Sequence, residues 1–588
     1  MKRRSTFAAT AVAAVAALVI SACSSSSSSS STPSPTSTTG AVAFNAGINS
    51  VVNPASGKGG TLTYDNSSTP DSFDPGNTYY AWVLNFDRIF TMAMFSYKSC
   101  PGTCGEQLVP VLATDMGTTS NNGLTWTFHI QPNIKFEDGT VVTSQDVKYA
   151  IERTYDRTVA ANGPTYYQAL LTDPKYPGPY KNRAKNLMGL TAIQTPDATT
   201  LVFHLQAPFP DLPYVLAFPS SAPVPPAKDT GTNYQLHPVS TGPYMFQSYA
   251  LNKQLTLVPN PQWNPATDPN AKQAASKIIV NLNVSQADSD NRLLAGDIGM
   301  DSSGVGVAAA AQARILSSPT FKANADNPIN GFLRFMYLDT KVAPMTNLHC
   351  REAVEYAVNK VTTQTAYGGP VAGGAIASTV DPPNILGYVK FDQYNALSKP
   401  TGDITSAKQQ LALCGQPNGF STNLAYRSDR PKEVAAATAI QASLALVGIK
   451  LTLKGFPAGN YYTNFAGAPA YMHSHSIGMA MGGWGADWPD GFGFLDSLVA
   501  GNTIVSTGNT NIEELSDPVV NNLFTKSNTV TGAARTTIWG QIDQQVMKDA
   551  GMVPLVYDKA LLYRPPNDTN VTVQAYYGMY DYASLGSK

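Results

Sequence analysis

The sequence predicts an α/β protein with more than one lobe, and three observations carry that expectation. Short apolar strands alternate along the chain with helical patterns of about 10–15 residues. The chain has 588 residues, 43% of them hydrophobic. The roughly 530 residues beyond the N-terminal segment exceed what one hydrophobic core usually holds. No self-similar period of about 20–50 residues recurs, so solenoids and propellers are not expected.

The elements follow in chain order. Lys2, Arg3 and Arg4 precede an apolar run from Phe7 to Ile20, and Ile20-Ser21-Ala22-Cys23 ends it. A basic start, a short apolar stretch and small residues at a cleavage point make a secretory signal over residues 1–22. The apolar stretch falls short of the roughly 20 residues that span a bilayer. Because the small residues end on a cysteine, the pattern resembles the lipobox of bacterial lipoproteins. That resemblance implies lipidation of Cys23 and retention at the extracellular face of the cytoplasmic membrane. Residues 23–58 are rich in Ser, Thr, Pro and Gly and are expected to be a disordered tether.

Folded structure is expected from Gly59-Gly60, with Thr61–Tyr64 as the first strand. Trp126–Ile130 alternates as a strand. Thr143 with Asp146 three residues later starts a helix on which Val147, Ala150 and Ile151 recur at helical spacing. Residues 244–249 and Leu255–Val258 form a strand pair, and Phe332–Leu338 a buried strand. Helices are expected at Arg351–Lys360, Pro431–Val447 (stopped by Gly448) and Ile542–Ala550. Strands are expected at Ile449–Leu453 and Val553–Leu562.

Composition narrows the function. Net charge is −1 and only 13% of residues are charged, with no basic stripe, so nucleic acid is not an expected partner. Such a surface suits neutral or zwitterionic ligands. With Cys23 lipidated, Cys100, Cys104, Cys350 and Cys414 remain in an oxidising compartment. Pro101-Gly102 favours a turn that closes Cys100 on Cys104, and Cys350 would then pair with Cys414 over a long loop. The other two pairings stay formally open. A zinc site would require spacings that the cysteines do not have.

The landmarks occur in a recognisable order. Leu108–Ala113, Trp126–Phe128, Lys135–Gly139, Thr143–Val147, Thr241–Tyr244, Leu294–Ile298, Arg351–Val354 and Gly448–Lys450 follow one another. Together they resemble the family 5 extracellular solute-binding proteins, the oligopeptide-, dipeptide- and nickel-binding components of ABC importers, over about residues 59–588. The contexts of Cys350 and Cys414 resemble an actinobacterial branch of lipoproteins. The resemblance implies a two-lobed periplasmic-binding-protein-like fold of type II. Lobe 1 would take residues 59–330 with an extra subdomain near 96–195, lobe 2 would take 331–557, and 558–588 would return to lobe 1. Two hinge strands would join the lobes around a ligand cleft, and closure would bury the ligand. The implied partners are a short peptide or similar solute and a membrane permease. No cofactor is implied, and the expected state is a monomer.

The same resemblance marks the site. In Gly483-Trp484-Gly485-Ala486-Asp487-Trp488-Pro489-Asp490, the aspartate three residues after the tryptophan matches the family's receptor for a peptide α-amine. Asp487 is therefore the expected amine receptor, with Trp484 and Trp488 beside it. The competing reading is a turn aspartate, since the segment is rich in turn formers. Tyr80, with Tyr79 and Trp82, is placed at the cleft border, against the alternative of ordinary core packing. His473 and His475 would share one face of a strand. With no third ligand nearby in sequence they read as a solvated pair, and no metal site is expected. An enzyme is not expected, because the nucleophile-elbow, zinc-protease and phosphate-loop motifs are absent. A ligand-binding sensor without transport is the remaining alternative.

Overall fold

A computed structural model describes residues 43–182 and 189–588. The signal peptide, Cys23 and the first part of the tether lie outside the described residues. Among the described residues, no helix is long and apolar enough to cross a membrane.

Two mixed sheets organise the chain. The first holds five strands in the order Met300–Asp301, Thr61–Asp65, Lys277–Asn281, Gln254–Pro259 and Tyr244–Ala250. Thr61–Asp65 runs parallel to both neighbours, and the rest is antiparallel. The second holds six strands in the order Ala375–Ile376, Met552–Lys559, Ile329–Leu338, Met479–Gly485, Ser421–Arg427 and Lys450–Phe456. A four-stranded antiparallel sheet built on Thr125–His129 and Thr200–His204 is inserted in sequence between the first strand of the five-stranded sheet and its other strands. The chain enters the six-stranded sheet through Ile329–Leu338 and leaves it through Met552–Lys559. These two strands pair antiparallel at its centre. They correspond to the strands expected at Phe332–Leu338 and Val553–Leu562. Met552–Lys559 is almost wholly buried, and Ile329–Leu338 is buried from Leu333 onward, as strands covered on both faces must be.

Local chemistry explains most boundaries. Thr143 and Asp146 form a reciprocal capping box that starts the helix Ser144–Arg153. The helix Pro431–Ala445 begins on a proline, which is pre-set for a first helical turn. It runs out at Gly448, whose φ of +86° suits glycine; a Cβ there would lie 2.3 Å from the Asn418 carbonyl oxygen.

Four expectations are corrected. The tether ends before residue 58, because Ala46–Asn49 is a short helix and Val52 is buried, its N–H donating to Val571 at 2.7 Å. The helix expected over 351–360 is two helices, Leu348–Ala357 and Lys360–Tyr367. Asn359 caps the second by accepting from the Thr362 N–H. The C-terminal helix starts ten residues early, at Gly532, because buried Arg535 occupies a core position through an ion pair with Asp211. The final strand stops at Lys559, and Leu562–Tyr563 pairs instead with Ala325–Asp326.

Both expected disulfides are formed, Cys100–Cys104 and Cys350–Cys414. The second joins the helix Leu348–Ala357 to the end of Ile404–Leu413 across 64 residues. Loop-closure entropy gives it about 4 kcal/mol. A reductant is expected to lower the Tm accordingly, and an unchanged melting curve would show that the bridge does not constrain the unfolded chain.

Candidate functional site

The strand Met479–Gly485 carries glycines at 482, 483 and 485. Their missing side chains let neighbours approach: a Cβ on Gly483 would sit 2.5 Å from the Arg334 guanidinium, and one on Gly485 would meet the Phe332 ring at 2.8 Å. The strand then turns into the helix Gly491–Val499. Asp490 caps that helix, accepting from the Gly493 N–H at 2.9 Å. Asp490, not Asp487, is thus the turn-forming acid.

Asp487 faces elsewhere. Its Oδ2 accepts from the Tyr79 hydroxyl at 2.6 Å, from the Tyr166 hydroxyl, and from the Ser497 hydroxyl at 3.2 Å. Its carbonyl accepts from the Tyr576 hydroxyl at 2.6 Å. The three tyrosines come from segments outside the six-stranded sheet, so this residue gathers groups from well-separated parts of the chain. All three side-chain bonds land on Oδ2, and Oδ1 takes none of them. Asp487 is only 5% exposed. Burial raises its carboxyl to about 7, while the hydroxyls of Tyr166, Tyr79 and Ser497 pull the other way.

Asp487 lines a cavity that is open to solvent. Its walls combine Tyr79, Tyr80, Trp82 and Tyr577 with Phe332, Tyr462 and Trp484. Tyr79 meets Trp484 edge-to-face, ring centres 5.5 Å apart.

Three arginines also line the cavity. Arg334 pairs with Asp558 at 2.6 Å, and Arg427 donates to Glu433 at 2.9 Å. Arg430 has no ion pair or side-chain hydrogen bond among the described residues; its guanidinium lies 5.4 Å from the centre of the Tyr80 ring. Burial, then the charge of Arg427, pulls its pKa down. Asp71, also in the wall, receives the N–H groups of Tyr79 at 2.6 Å and Tyr80 at 3.2 Å. It positions that aromatic segment.

Three of the four expected ligand residues, Asp487, Trp484 and Tyr80, therefore line one cavity. Trp488 does not. It is fully buried, stacked on Tyr214 and Phe492 and packed against Tyr166 and Phe209, so it is core. The turn at Pro489-Asp490 directs it away from the cavity. Sequence reasoning missed Arg430, Tyr166, Ser497 and Tyr576. None of the four carries a local sequence signal.

His473 and His475 are not on a strand. His473 belongs to the helix Pro469–Ser474, and the His475 ring stacks on Tyr471.

Residues 107–505 match the model described as bacterial extracellular solute-binding proteins, family 5 Middle. A solved structure titled clavulanic acid biosynthesis oligopeptide binding protein 2 superposes with a TM-score of 0.84 at 37% identity, covering 94% of this chain and 99% of that one. The glutathione-binding protein GsiB of Escherichia coli O6:K15:H31 is 24% identical over 530 residues, covering 86% of this chain and 90% of GsiB. The periplasmic binding protein DppA of Helicobacter pylori, solved with the peptide STSA, has a TM-score of 0.73 at 20% identity. It covers 90% of this chain and 98% of its own, a likeness of fold, and that fold has two lobes.

Proposed function

The chain belongs to the bacterial extracellular solute-binding proteins of family 5, and from that premise we propose that it captures a short peptide and delivers it to an ABC permease. The observation that carries this reading is a pair of opposite charges in one aromatic cavity. Asp487 offers an oxygen that no hydroxyl occupies, and Arg430 offers a guanidinium without an ion-pair partner among the described residues. A zwitterionic peptide presents the complementary ends. Its α-ammonium goes to Asp487 and its α-carboxylate to Arg430, and the rings between them exclude water without reading a particular side chain. Recognition of termini alone lets many sequences bind. The names of two relatives support a peptide: one is called an oligopeptide-binding protein and another binds glutathione.

The receptor is anchored through diacylglycerol on Cys23, a reading supported by the basic, apolar and small-residue succession before that cysteine. The guest is expected to leave unaltered, a reading supported by the family's description as solute-binding proteins.

The test is native mass spectrometry of the purified chain followed by titration with the peptide found. Arg430→Gln is expected to weaken a free-carboxylate peptide about 10- to 150-fold, the value of a charged hydrogen bond. Its C-amidated form should change little. Equal loss for both forms would remove Arg430 from carboxylate recognition, and a co-purifying ligand without a free amine would overturn the peptide reading.

A further inference from the structure

The strand Ile329–Leu338 has its two ends in different surroundings. Phe332 and Arg334 line the cavity. Five residues past Arg334, about 17 Å along an extended strand, Asp339 ends it. The Asp339 side chain is 1% exposed. Its Oδ1 accepts from the Lys341 N–H at 2.9 Å, which fixes the carboxylate plane. Its Oδ2 is buried and has no hydrogen-bond partner among the described residues. A buried carboxylate oxygen left bare costs free energy unless something positive meets it.

Two further groups converge there. His473 Nε2 lies 4.0 Å from Asp339 Oδ2 and 2.7 Å from Glu514 Oε1. These three atoms all fall within 4.8 Å of one another. Glu514 is held in register with the strand end by its neighbours: the Thr340 N–H donates to the Glu513 carbonyl at 2.9 Å, and the Thr340 hydroxyl to the Glu514 carbonyl at 3.3 Å. Glu513 adds a second fully buried carboxylate, both of whose oxygens lack partners among the described residues. Asp339 and Glu514 thus share one imidazole. A proton on His473 satisfies Glu514 and leaves Asp339 Oδ2 unmet.

We propose that Asp339, His473 and Glu514 bind one divalent transition cation of the zinc type, which fastens the end of the central strand to the helix Pro469–Ser474. One imidazole nitrogen with two carboxylate oxygens is a donor set for zinc, cobalt or nickel; magnesium and calcium take oxygen alone. Metal bonds of about 2.0–2.2 Å in a tetrahedron put ligand atoms roughly 3.3–3.6 Å apart. The observed spacings bracket that range, and His473, whose side chain is 41% exposed, can turn to equalise them. The Lys341 N–H supplies the outer contact that orients the Asp339 ligand. His475 takes no part, since its Nδ1 faces the Tyr471 carbonyl at 2.9 Å. The ion is structural and independent of peptide capture.

The test uses the full chain stripped with a chelator and titrated with cobalt(II), read by its visible ligand-field absorption and by displacement with zinc. One cobalt per chain is expected, with a rise in Tm on saturation. Outer-shell contacts alone are worth about 10–100-fold in metal affinity, so His473→Ala, which removes a direct ligand, should weaken cobalt by at least about 100-fold. His475→Ala should leave it unchanged. Asp339→Asn keeps the side-chain shape and should also lose the spectrum; if that variant misfolds, Glu514→Gln takes its place. Equal cobalt affinity in the wild type and His473→Ala, which would put the ion at another histidine such as His237 or His349, would overturn the proposal. So would no saturable binding at millimolar cobalt. Peptide affinity is read separately and does not enter either result.

Discussion

Asp487→Ala is expected to weaken a peptide with a free α-amine by more than about 100-fold while changing its N-acetylated form less than about threefold. The magnitude follows from burial. Removing one partner of a desolvated ion pair costs about 3–5 kcal/mol, because the other charge is left buried and unpaired. Asp487 is 5% exposed, and in the complex its open Oδ1 would be covered by the ligand itself. The alanine also strands the hydroxyls of Tyr79, Tyr166 and Ser497, so lost affinity has a structural explanation that must be separated. Asp487→Asn does this: its amide oxygen still accepts from the hydroxyls but carries no charge. Calorimetric titration should show the same preference lost in Asn as in Ala, with the Asn variant melting near the wild type. Equal loss for the free and acetylated peptides in both variants would remove the amine role.

The carboxylate also strains the empty protein. An ordinary aspartate ionises near 3.9, whereas burial moves Asp487 to about 7. Between those values the folded chain holds a proton that the unfolded chain has lost, so stability falls as pH rises through that window. At neutral pH the accumulated cost is on the order of 4 kcal/mol. On the proposed reading an incoming ammonium would offset it, and binding energy would be drawn from a destabilisation already present in the empty site.

The sequence revealed the site in proportion to how local each part is. Trp484 and Asp487 stand three residues apart on one strand and turn, so a short pattern finds them together. Trp488 belongs to the same pattern, and there the pattern misleads. Asp490 caps the next helix, and Trp488 just before it is buried in the core against Phe492. Ser497 reaches Asp487 from the next helix, while Tyr166 and Tyr576 come from distant segments, and nothing near either tyrosine in sequence announces the meeting. Arg430 is legible only by subtraction. Arg427 and Arg334 stand close to it at the cavity, and only their partners, Glu433 and Asp558, reveal which guanidinium is left over.

The fold follows the same logic. Strands with a clean alternation, such as Thr61–Asp65, and helices with a strong cap, such as Ser144–Arg153, were legible to within a residue or two. Only the second half of the helix Gly532–Asp549 is legible in sequence, because a buried arginine breaks its apolar period and its partner Asp211 lies more than 300 residues away. The neighbours of His473 are hidden for an equivalent reason. A search for metal ligands along the chain sees His475, while the groups that meet His473 are at 339 and 514.

Peptide affinity is expected to depend on pH with an acidic limb set by Asp487 and an alkaline limb set by the ligand. The free site is half protonated at about 7, and only its ionised form pairs with an ammonium. Below that value binding must expel a proton, so the apparent Kd rises about tenfold for each pH unit, roughly 100-fold between pH 7 and pH 5. Above about 8 the peptide α-amine itself loses its proton, and affinity falls again. The optimum therefore lies between about pH 7 and 8. Titration calorimetry in buffers of different ionisation enthalpy should find close to one proton released per peptide at pH 5 to 6 and far fewer at pH 8. Asp487→Asn should remove the acidic limb, since an amide has no proton to expel. Arg430→Gln should shift the whole curve to weaker binding and keep its shape, because a guanidinium stays charged throughout. A wild-type Kd that stays flat from pH 5 to pH 7 would mean that the ammonium is met by some group other than this carboxylate.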